Sequence, residues 1–223
     1  MVSDMQYGHE VPVNEGDTLP EYNKVTSPTG RLSLAMMTGL DYDDPLWEHL
    51  LNQMTLEEQN WMGSYGLGFF AGAASVDAPG GISQDGPQGI LSTGYAFPSP
   101  ILMASTYDAP LVYQLGDAFA HETMHAGFSL MYAPGACIHR SLYSGRNFEY
   151  FSEDGVLSGK ILAAEVKGIT DRGIIVMTKH FAFNDQERNR YGVATFFNEQ
   201  SGRDIYLRVF EIAVREGNMN GVM

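Results

Sequence analysis

Short apolar runs alternate with amphipathic helical patterns along this chain, and this alternation constrains its fold more than any other feature. Apolar runs at residues 101–104, 129–133 and 174–178 are each followed by a helical pattern. Repeated strand–helix units of this kind predict a parallel sheet with helices outside it. The sheet is then either a closed eight-fold barrel or an open, doubly wound sheet.

The helical patterns carry apolar residues three and four positions apart, which places them on one face of each helix. The first pattern begins at Asp108, a favoured N-cap residue type, and closes at Gly127, while the second ends at Gly173. Residues 219–223 look like the beginning of a further strand. The residues expected on the buried faces are Val112, Leu115, Gly116 and Phe119, then Leu162, Val166 and Ile169, then Tyr206, Val209, Phe210, Ala213 and Val214.

Polar and charged residues follow the predicted strands in turn, and this favours the barrel. Asp85 is held in a tight Asp-Gly-Pro turn, Arg140 and Arg146 follow the strand at 129–133, and Lys179 and His180 follow the strand at 174–178. Side chains that converge from several strand ends are the way in which a barrel builds its site. Because the units number fewer than eight, we predict an incomplete (β/α)8 TIM-type barrel with parallel strands and outer helices.

The first 42 residues are polar and carry Pro12, Pro20, Pro28 and Gly30, which break any periodicity. We therefore predict a leader or linker at residues 1–42 and a partial barrel domain at residues 43–223. The barrel part opens with two scaffold helices. The first has a start signal at Asp44 before Pro45, and the second has a capping box formed by Thr55 and Glu58.

Charge and cysteine content exclude several classes of partner. Thirteen basic and 27 acidic residues give a net charge of −14, which repels nucleic acids and anionic membrane surfaces. The single cysteine, Cys137, excludes an internal disulfide and is compatible with a reducing compartment. No signal peptide and no run of eighteen apolar residues is visible, so a cytoplasmic location is favoured. The segment GLGFFAG (66–72) matches a dinucleotide loop only superficially, and we expect no cofactor.

HETMH (121–125) fits the HExxH pattern of zinc peptidases, in which His121 and His125 bind the metal and Glu122 acts as general base. The motif falls in the last turn of a helix that ends at the opposite rim of the barrel from the expected site. A solvated helix end whose histidines favour the negative dipole pole is therefore the preferred interpretation, and we expect no metal. A zinc peptidase remains the less favoured alternative.

A second group of residues has the chemistry of a sugar site. Asp85, Arg146, Lys179 and His180 combine a carboxylate, a guanidinium, an ammonium and an imidazole, with Tyr132, Phe148 and Tyr150 as nearby aromatics. Carboxylate and guanidinium groups bind vicinal hydroxyls through paired hydrogen bonds, and the apolar face of a pyranose packs on an aromatic ring. These residues therefore favour a carbohydrate ligand.

The chain resembles the glycoside hydrolase family 3 β-glucosidases from about residue 43 to its end. Several long motifs carry the resemblance, and they occur in the order typical of the family. They are TLEEQ (55–59), DGPQG (85–89), FPSPILMAST (97–106), YAPGACIHRSLYSGRNFEYFSED (132–154), KHFAFNDQERNR (179–190) and EQSGRDIYLRVFEIAVREG (199–217).

The resemblance implies retaining hydrolysis of terminal non-reducing β-D-glucosyl residues, with a β-glucoside or oligosaccharide as substrate. It assigns Asp85, Arg146, Lys179 and His180 to the hydroxyls of the sugar in the first subsite and places Met223 nearby. It also implies that the remainder of the barrel and a sandwich domain complete the protein. No nucleic acid and no membrane is expected as a partner.

The sequence departs from the family pattern at several points. The nucleophilic aspartate and the acid/base glutamate of the family have no counterpart here, so we expect no catalytic residue within residues 1–223. Two other acids near Asp85, Glu149 and Asp185, are not assigned as nucleophile by the family. Leu91 occupies a position where many members carry arginine, and Gly155 replaces a usual proline. A catalytically silent carbohydrate-binding module is therefore the main alternative.

Overall fold

The computed structural model describes residues 30–64 and 68–223. Most of the predicted leader, residues 1–29, and part of the GLGFFAG segment lie outside the described residues. The chain divides into two compact units. In the described part, the first comprises residues 30–59 and 73–78, and the second comprises residues 60–64, 68–72 and 79–223.

The first unit is built around helix α1, Leu46–Gln53, and two 3₁₀ turns, Leu34–Met37 and Ala74–Val76. The Asp44 carboxylate accepts a hydrogen bond from the backbone N–H of Leu46 (2.9 Å), which confirms the predicted start signal. The small core of this unit consists of Leu32, Met37, Leu50, Met54, Ala73 and Val76.

Helix α2, Leu56–Ser64, begins at the predicted capping box. The Thr55 N–H donates to Glu58 Oε2 (2.8 Å), and the Glu58 N–H donates to Thr55 Oγ1 (3.2 Å). Two backbone donors that a helix start leaves without partners are satisfied in this reciprocal way.

The second unit contains a four-stranded sheet in the order β1-β2-β3-β4. Its strands are β1 (Phe69–Phe70), β2 (Gly81–Asp85), β3 (Leu130–Tyr132) and β4 (Ile175–Val176). Strand β1 is antiparallel to β2, whereas β2, β3 and β4 are parallel, with Asp85 opposite Tyr132. Beyond β4, Thr178 forms a parallel bridge with Val222, where the sequence predicts the start of a strand.

Helices connect the parallel strands. Helix α3 (Pro100–Ser105) and helix α4 (Ala109–His125) lie between β2 and β3, and α5 (Gly155–Thr170) lies between β3 and β4. A short helix α6 (Glu199–Ser201), a π-helical turn (Gly202–Tyr206) and α7 (Leu207–Gly217) follow β4. The predicted arrangement of parallel strands with intervening helices is therefore confirmed.

Most of the residues predicted on the apolar helix faces are buried in the core. The Asp108 carboxylate caps α4 by accepting from the Leu111 N–H (3.0 Å). Leu162, Val166 and Ile169 of α5 are all fully buried. Val214 contradicts the pattern, because it is 54% exposed. It lies five residues beyond the buried Val209, about 140° round the helix.

The strand predicted at residues 101–104 is wrong, because this segment belongs to helix α3. Ser99 caps the helix by accepting from the Leu102 N–H (3.4 Å), and Pro100 occupies the first helical turn. Both features are helix-start signals that outweigh an apolar run of four residues. The strand that carries Asp85 is instead β2, within the glycine-rich stretch.

No helix in the described part of the chain combines the length and the apolar character that a membrane span requires.

Candidate functional site

A cavity of about 850 Å³ is lined by Asp85, the last residue of β2, and by residues that follow β3 and β4. Parallel strands bring their carboxyl ends to one edge of the sheet, and the loops that leave this edge form the cavity wall. All five residues predicted for the site line the cavity, namely Asp85, Arg146, Lys179, His180 and Met223.

The centre of the cavity wall is an ion pair between Lys179 and Asp85. Lys179 is 1% exposed and its Nζ donates to Asp85 Oδ1, whereas the Asp85 side chain is 47% exposed. A buried ammonium is tolerated only when a partner compensates its charge. The pair therefore fixes a carboxylate that still faces the cavity and can accept further hydrogen bonds.

Register within the sheet positions both members of this pair. Asp85 is the last residue of β2, and Lys179 follows β4. The backbone N–H of Lys179 donates to the carbonyl of Pro134 (3.0 Å), in a parallel bridge with Gly135. Two backbone ladders therefore determine where the lysine and the aspartate meet.

The imidazole of His180 is held in one orientation by Tyr150. The two side chains are joined by a hydrogen bond of 2.8 Å between the Tyr150 hydroxyl and His180 Nδ1. The same hydroxyl oxygen accepts from Asn184 Nδ2 (3.2 Å), and that amide also donates to Glu187 Oε1 (2.7 Å). We assign the hydroxyl hydrogen of Tyr150 to the bond with His180, with Nδ1 as the acceptor, and this assignment leaves the proton of a neutral imidazole on Nε2.

The protonation state of His180 follows from its surroundings. Burial lowers the pKa of His180 to about 4, and the charges of Arg146 and Lys179 add to the effect. Its Nε2 is buried and has no hydrogen-bond partner within residues 30–64 and 68–223. A neutral imidazole therefore presents one N–H donor that is not used by the described part of the chain.

Arg146 is bound tightly by Glu149 on the loop that follows β3. Its Nη2 lies 2.7 Å and 3.0 Å from the two carboxylate oxygens, and its Nε lies 3.2 Å from Oε2. Glu149 is buried and sits in the 3₁₀ turn Asn147–Glu149. This bidentate pair orients the guanidinium and occupies the carboxylate of Glu149.

Comparisons with known proteins identify the family to which the chain belongs. The model of the glycosyl hydrolase family 3 N terminal domain matches residues 73–223. The chain belongs to glycosyl hydrolase family 3. The TIM-type α/β fold and the family membership implied by the resemblance are therefore confirmed.

Two curated relatives of this family 3 chain show how much of their length it spans. It is 40% identical over 148 residues to Beta-glucosidase B of Emericella nidulans and 42% identical over 144 residues to Beta-glucosidase A of Butyrivibrio fibrisolvens. These matches cover 63% and 65% of this chain, but only 18% and 17% of the relatives. The chain thus corresponds to less than two thirds of either relative.

A solved structure supports the same fold. The crystal structure of the beta-glucosidase from Kluyveromyces marxianus in complex with glucose is similar with a TM-score of 0.74 and 30% identity. The similarity covers 79% of this chain and 22% of that one.

The aromatic side chains that line the cavity are not those expected from the sequence. Tyr150 is fully buried, and Tyr132 is buried with its hydroxyl 3.0 Å from Ser83 Oγ, so neither lines the cavity. Both rings belong to the layer beneath the site. Phe181 and Tyr191 are exposed and line the cavity instead.

Sequence reasoning also missed a polar network at the cavity, in which Asn184 and Arg190 line the wall. Asn184, Glu187 and Arg190 form a chain of hydrogen bonds, with Arg190 Nη1 donating to Glu187 Oε2 at 3.0 Å. Burial opposes ionisation of Glu187, but the bond from Asn184 and the charges of Arg146 and Arg190 outweigh it and lower the Glu187 pKa. The regular spacing of these polar residues after Lys179 was the available signal.

HETMH lies in the last turns of α4, which leads into the amino end of β3 and therefore ends at the opposite edge of the sheet from the cavity. His121 is exposed, and its Nε2 lies 3.9 Å from Asp117 Oδ2. The Asp117 carboxylate also accepts a hydrogen bond from Arg172. Nowhere in residues 30–64 and 68–223 do three His, Cys, Asp or Glu side chains form a group that could hold a metal ion.

Proposed function

We propose that this chain forms the sugar-binding part of a β-glucosidase that cleaves terminal non-reducing β-D-glucosyl residues with retention. The observation that carries the proposal is the ion pair between buried Lys179 and half-exposed Asp85 at the wall of an open cavity, beside Arg146 and His180. In this proposal, Asp85 and Lys179 bind adjacent sugar hydroxyls, and the Nε2–H of His180 donates to a third.

The volume and the lining groups of the cavity suit a glucosyl ring. A volume of about 850 Å³ falls in the range of small-molecule sites. Charge-assisted donors and an acceptor on one side, with the rings of Phe181 and Tyr191 also in the wall, offer both kinds of contact that a pyranose makes.

Retaining hydrolysis requires a nucleophile and an acid/base residue, with carboxyl groups about 5–5.5 Å apart. The two acids considered from the sequence are both engaged. Glu149 is bound to Arg146, and Asp185 Oδ2 accepts from the Tyr206 hydroxyl (2.8 Å). We propose that both catalytic carboxylates come from the rest of the full-length protein, which comprises the remainder of the barrel and a sandwich domain.

Alanine substitutions at Lys179 and Arg146 in the full-length protein test the proposed site. Each removes a charged donor to a sugar hydroxyl, and such hydrogen bonds contribute about 1.5–3 kcal/mol. We expect kcat/KM for an aryl β-glucoside to fall at least about tenfold.

Lys160→Ala and Arg203→Ala are the matched controls, because both residues form exposed ion pairs on helices away from the cavity. They should leave kcat/KM unchanged. Wild-type kinetics for Lys179→Ala and Arg146→Ala, with the fold intact, would remove these residues from the site.

A catalytically silent carbohydrate-binding module is the second candidate, and the engagement of Glu149 and Asp185 favours it. Such a protein binds glucose at the same cavity but does not turn over an aryl β-glucoside. Glucose binding without turnover by the full-length protein would select this candidate.

We further propose the division of the chain into a leader, residues 1–42, and a barrel part, residues 43–223, and a cytoplasmic location. The single cysteine is compatible with the reducing compartment that this location implies. Cys137 is a buried free thiol whose Sγ lies 3.1 Å from the carbonyl of His180, in keeping with a structural role.

A further inference from the structure

A second, smaller pocket lies directly beside the candidate sugar site and shares Asp85 with it. It has a volume of about 380 Å³. Ile90 in its wall is buried in the core, whereas Leu91, Tyr95 and Phe148 have exposed side chains, with Leu91 75% exposed. Concave sites with mostly apolar walls and a few polar groups at one end are typical of ligand pockets.

The walls of this apolar pocket are held in place by hydrogen bonds within the loop after β2 and by one hydrogen bond from this loop to the loop after β3. The Leu91 N–H donates to the carbonyl of Asp85 (3.1 Å), and the Phe97 N–H donates to the carbonyl of Gln88 (2.7 Å). Gln88 Nε2 donates to the carbonyl of Phe148 (2.6 Å), which joins the loop after β2 to the loop after β3. A preformed pocket loses little conformational entropy when a ligand binds.

Backbone geometry adds to this rigidity at Gly89. Its φ of +136° is a conformation that favours glycine, and a Cβ atom there would collide with the carbonyl oxygen of Tyr95. The backbone at Gly89 therefore lies close against the backbone at Tyr95, and this contact fixes the wall of the pocket that contains Tyr95.

The charged groups at the rim are already paired. Asp85 is bound by Lys179, and Glu149 is bound by Arg146 through two carboxylate oxygens. Paired carboxylates have little remaining attraction for a cation, and the surface that stays open is that of Leu91, Tyr95 and Phe148. The open apolar side chains of this pocket therefore favour an apolar group as its ligand.

We infer that this pocket binds an apolar substituent, an alkyl, acyl or aryl group, carried by the sugar whose hydroxyl Asp85 binds. This inference rests on the proposed function, because Asp85 must hold the sugar for the substituent to reach Leu91, Tyr95 and Phe148. It makes Leu91 a specificity-determining residue that favours substituted over unsubstituted glucosides.

Calorimetric titration of the full-length protein tests the inference with methyl β-glucoside and its monobenzyl ethers, one for each free hydroxyl. At least one ether should bind about tenfold or more tightly than the parent glucoside, since small apolar groups in a pocket contribute factors of this size. Leu91→Ala and Tyr95→Ala should each reduce this preference severalfold, and Leu91→Arg should abolish it. Leu111→Ala, at an exposed leucine of α4, should preserve it.

The outcomes separate the two proposals. If the parent glucoside binds but no ether binds more tightly, or if the Leu91 and Tyr95 variants keep the preference, the pocket has no such role. If neither the parent nor any ether binds, the proposed function fails and this inference fails with it.

Discussion

At the scale of single residues, the site is organised by partners that lie behind the side chains facing the cavity. Tyr150 and His180 are thirty positions apart in sequence, yet their hydrogen bond selects the imidazole tautomer. The sequence predicted His180, because it follows a strand directly. It could not predict the tautomer, since this depends on how the loop after β3 folds over the end of β4.

Tyr150→Phe tests this orientation. In the wild type, the pKa of His180 is lowered to about 4, so the ring should stay neutral between pH 7 and 5 with its proton on Nε2. Without the hydroxyl, Nδ1 loses its donor, and we expect nitrogen-edited NMR spectra to show a mixture of tautomers.

Tyr143→Phe is the matched control, because Tyr143 is exposed and its hydroxyl is not among the bonds that reach His180. A His180 spectrum identical in wild type and Tyr150→Phe would show that Tyr150 does not set the tautomer.

At the scale of elements, α4 and α5 cross at two glycines that face each other. A Cβ atom at Gly116 would collide with the carbonyl oxygen of Glu165, and one at Gly168 would collide with that of Tyr113. Because neither glycine has a side chain, the backbones of α4 and α5 can come into direct contact at this crossing.

Gly116→Ala should destabilise the protein by about 1–3 kcal/mol, because the added methyl group must displace backbone atoms of α5. A methyl group at Gly63, in α2, meets no heavy atom of the described residues within 4 Å, so Gly63→Ala should be neutral or stabilising by about 0.5–1 kcal/mol. Chemical denaturation measures both. Equal stabilities for the two variants would contradict the close crossing of α4 and α5.

Helix α5 also buries a carboxyl group, that of Glu165. Burial raises its pKa from the ordinary 4.5 to about 8, and its Oε2 has no hydrogen-bond partner in the described segments. The folded state thus keeps a proton that the unfolded state releases, so this group's contribution to stability falls as pH rises from 4.5 to 8.

Glu165→Gln should remove this dependence. Relative to wild type, the variant should gain stability as pH rises through that window, by at most about 1.4 kcal/mol per pH unit. Glu216→Gln, at an exposed ion pair with Lys160, is the control and should parallel the wild type. A Glu165→Gln curve parallel to the wild type would contradict a neutral buried carboxyl group.

The elements also show what the sequence could and could not predict. Caps and apolar periodicity predicted α4 and α5, because Asp108 and the buried faces act locally. The apolar run at residues 101–104 led to a wrong strand prediction, because Ser99 and Pro100 start a helix there. Strand β2, with the sequence GISQD, shows no apolar strand pattern of its own and is stabilised by pairing with β3, so it could not be predicted locally.

At the scale of the whole molecule, the chain spans only a small part of the length of its relatives. It covers 18% and 17% of the two curated β-glucosidases described above. Its net charge of −14 offers nothing specific to a neutral sugar. In the proposed function, recognition comes from the few groups that line the cavity. The central claim is that Asp85, Arg146, Lys179 and His180 bind one sugar ring.

The crystal structure of the full-length protein in complex with glucose tests this claim most directly. We predict that the sugar lies at the carboxyl ends of β2, β3 and β4, with Asp85 and Lys179 bonded to adjacent hydroxyls and His180 Nε2 donating to another. Glucose bound elsewhere, or bound in this cavity without contacts to Asp85 and Lys179, would contradict the account.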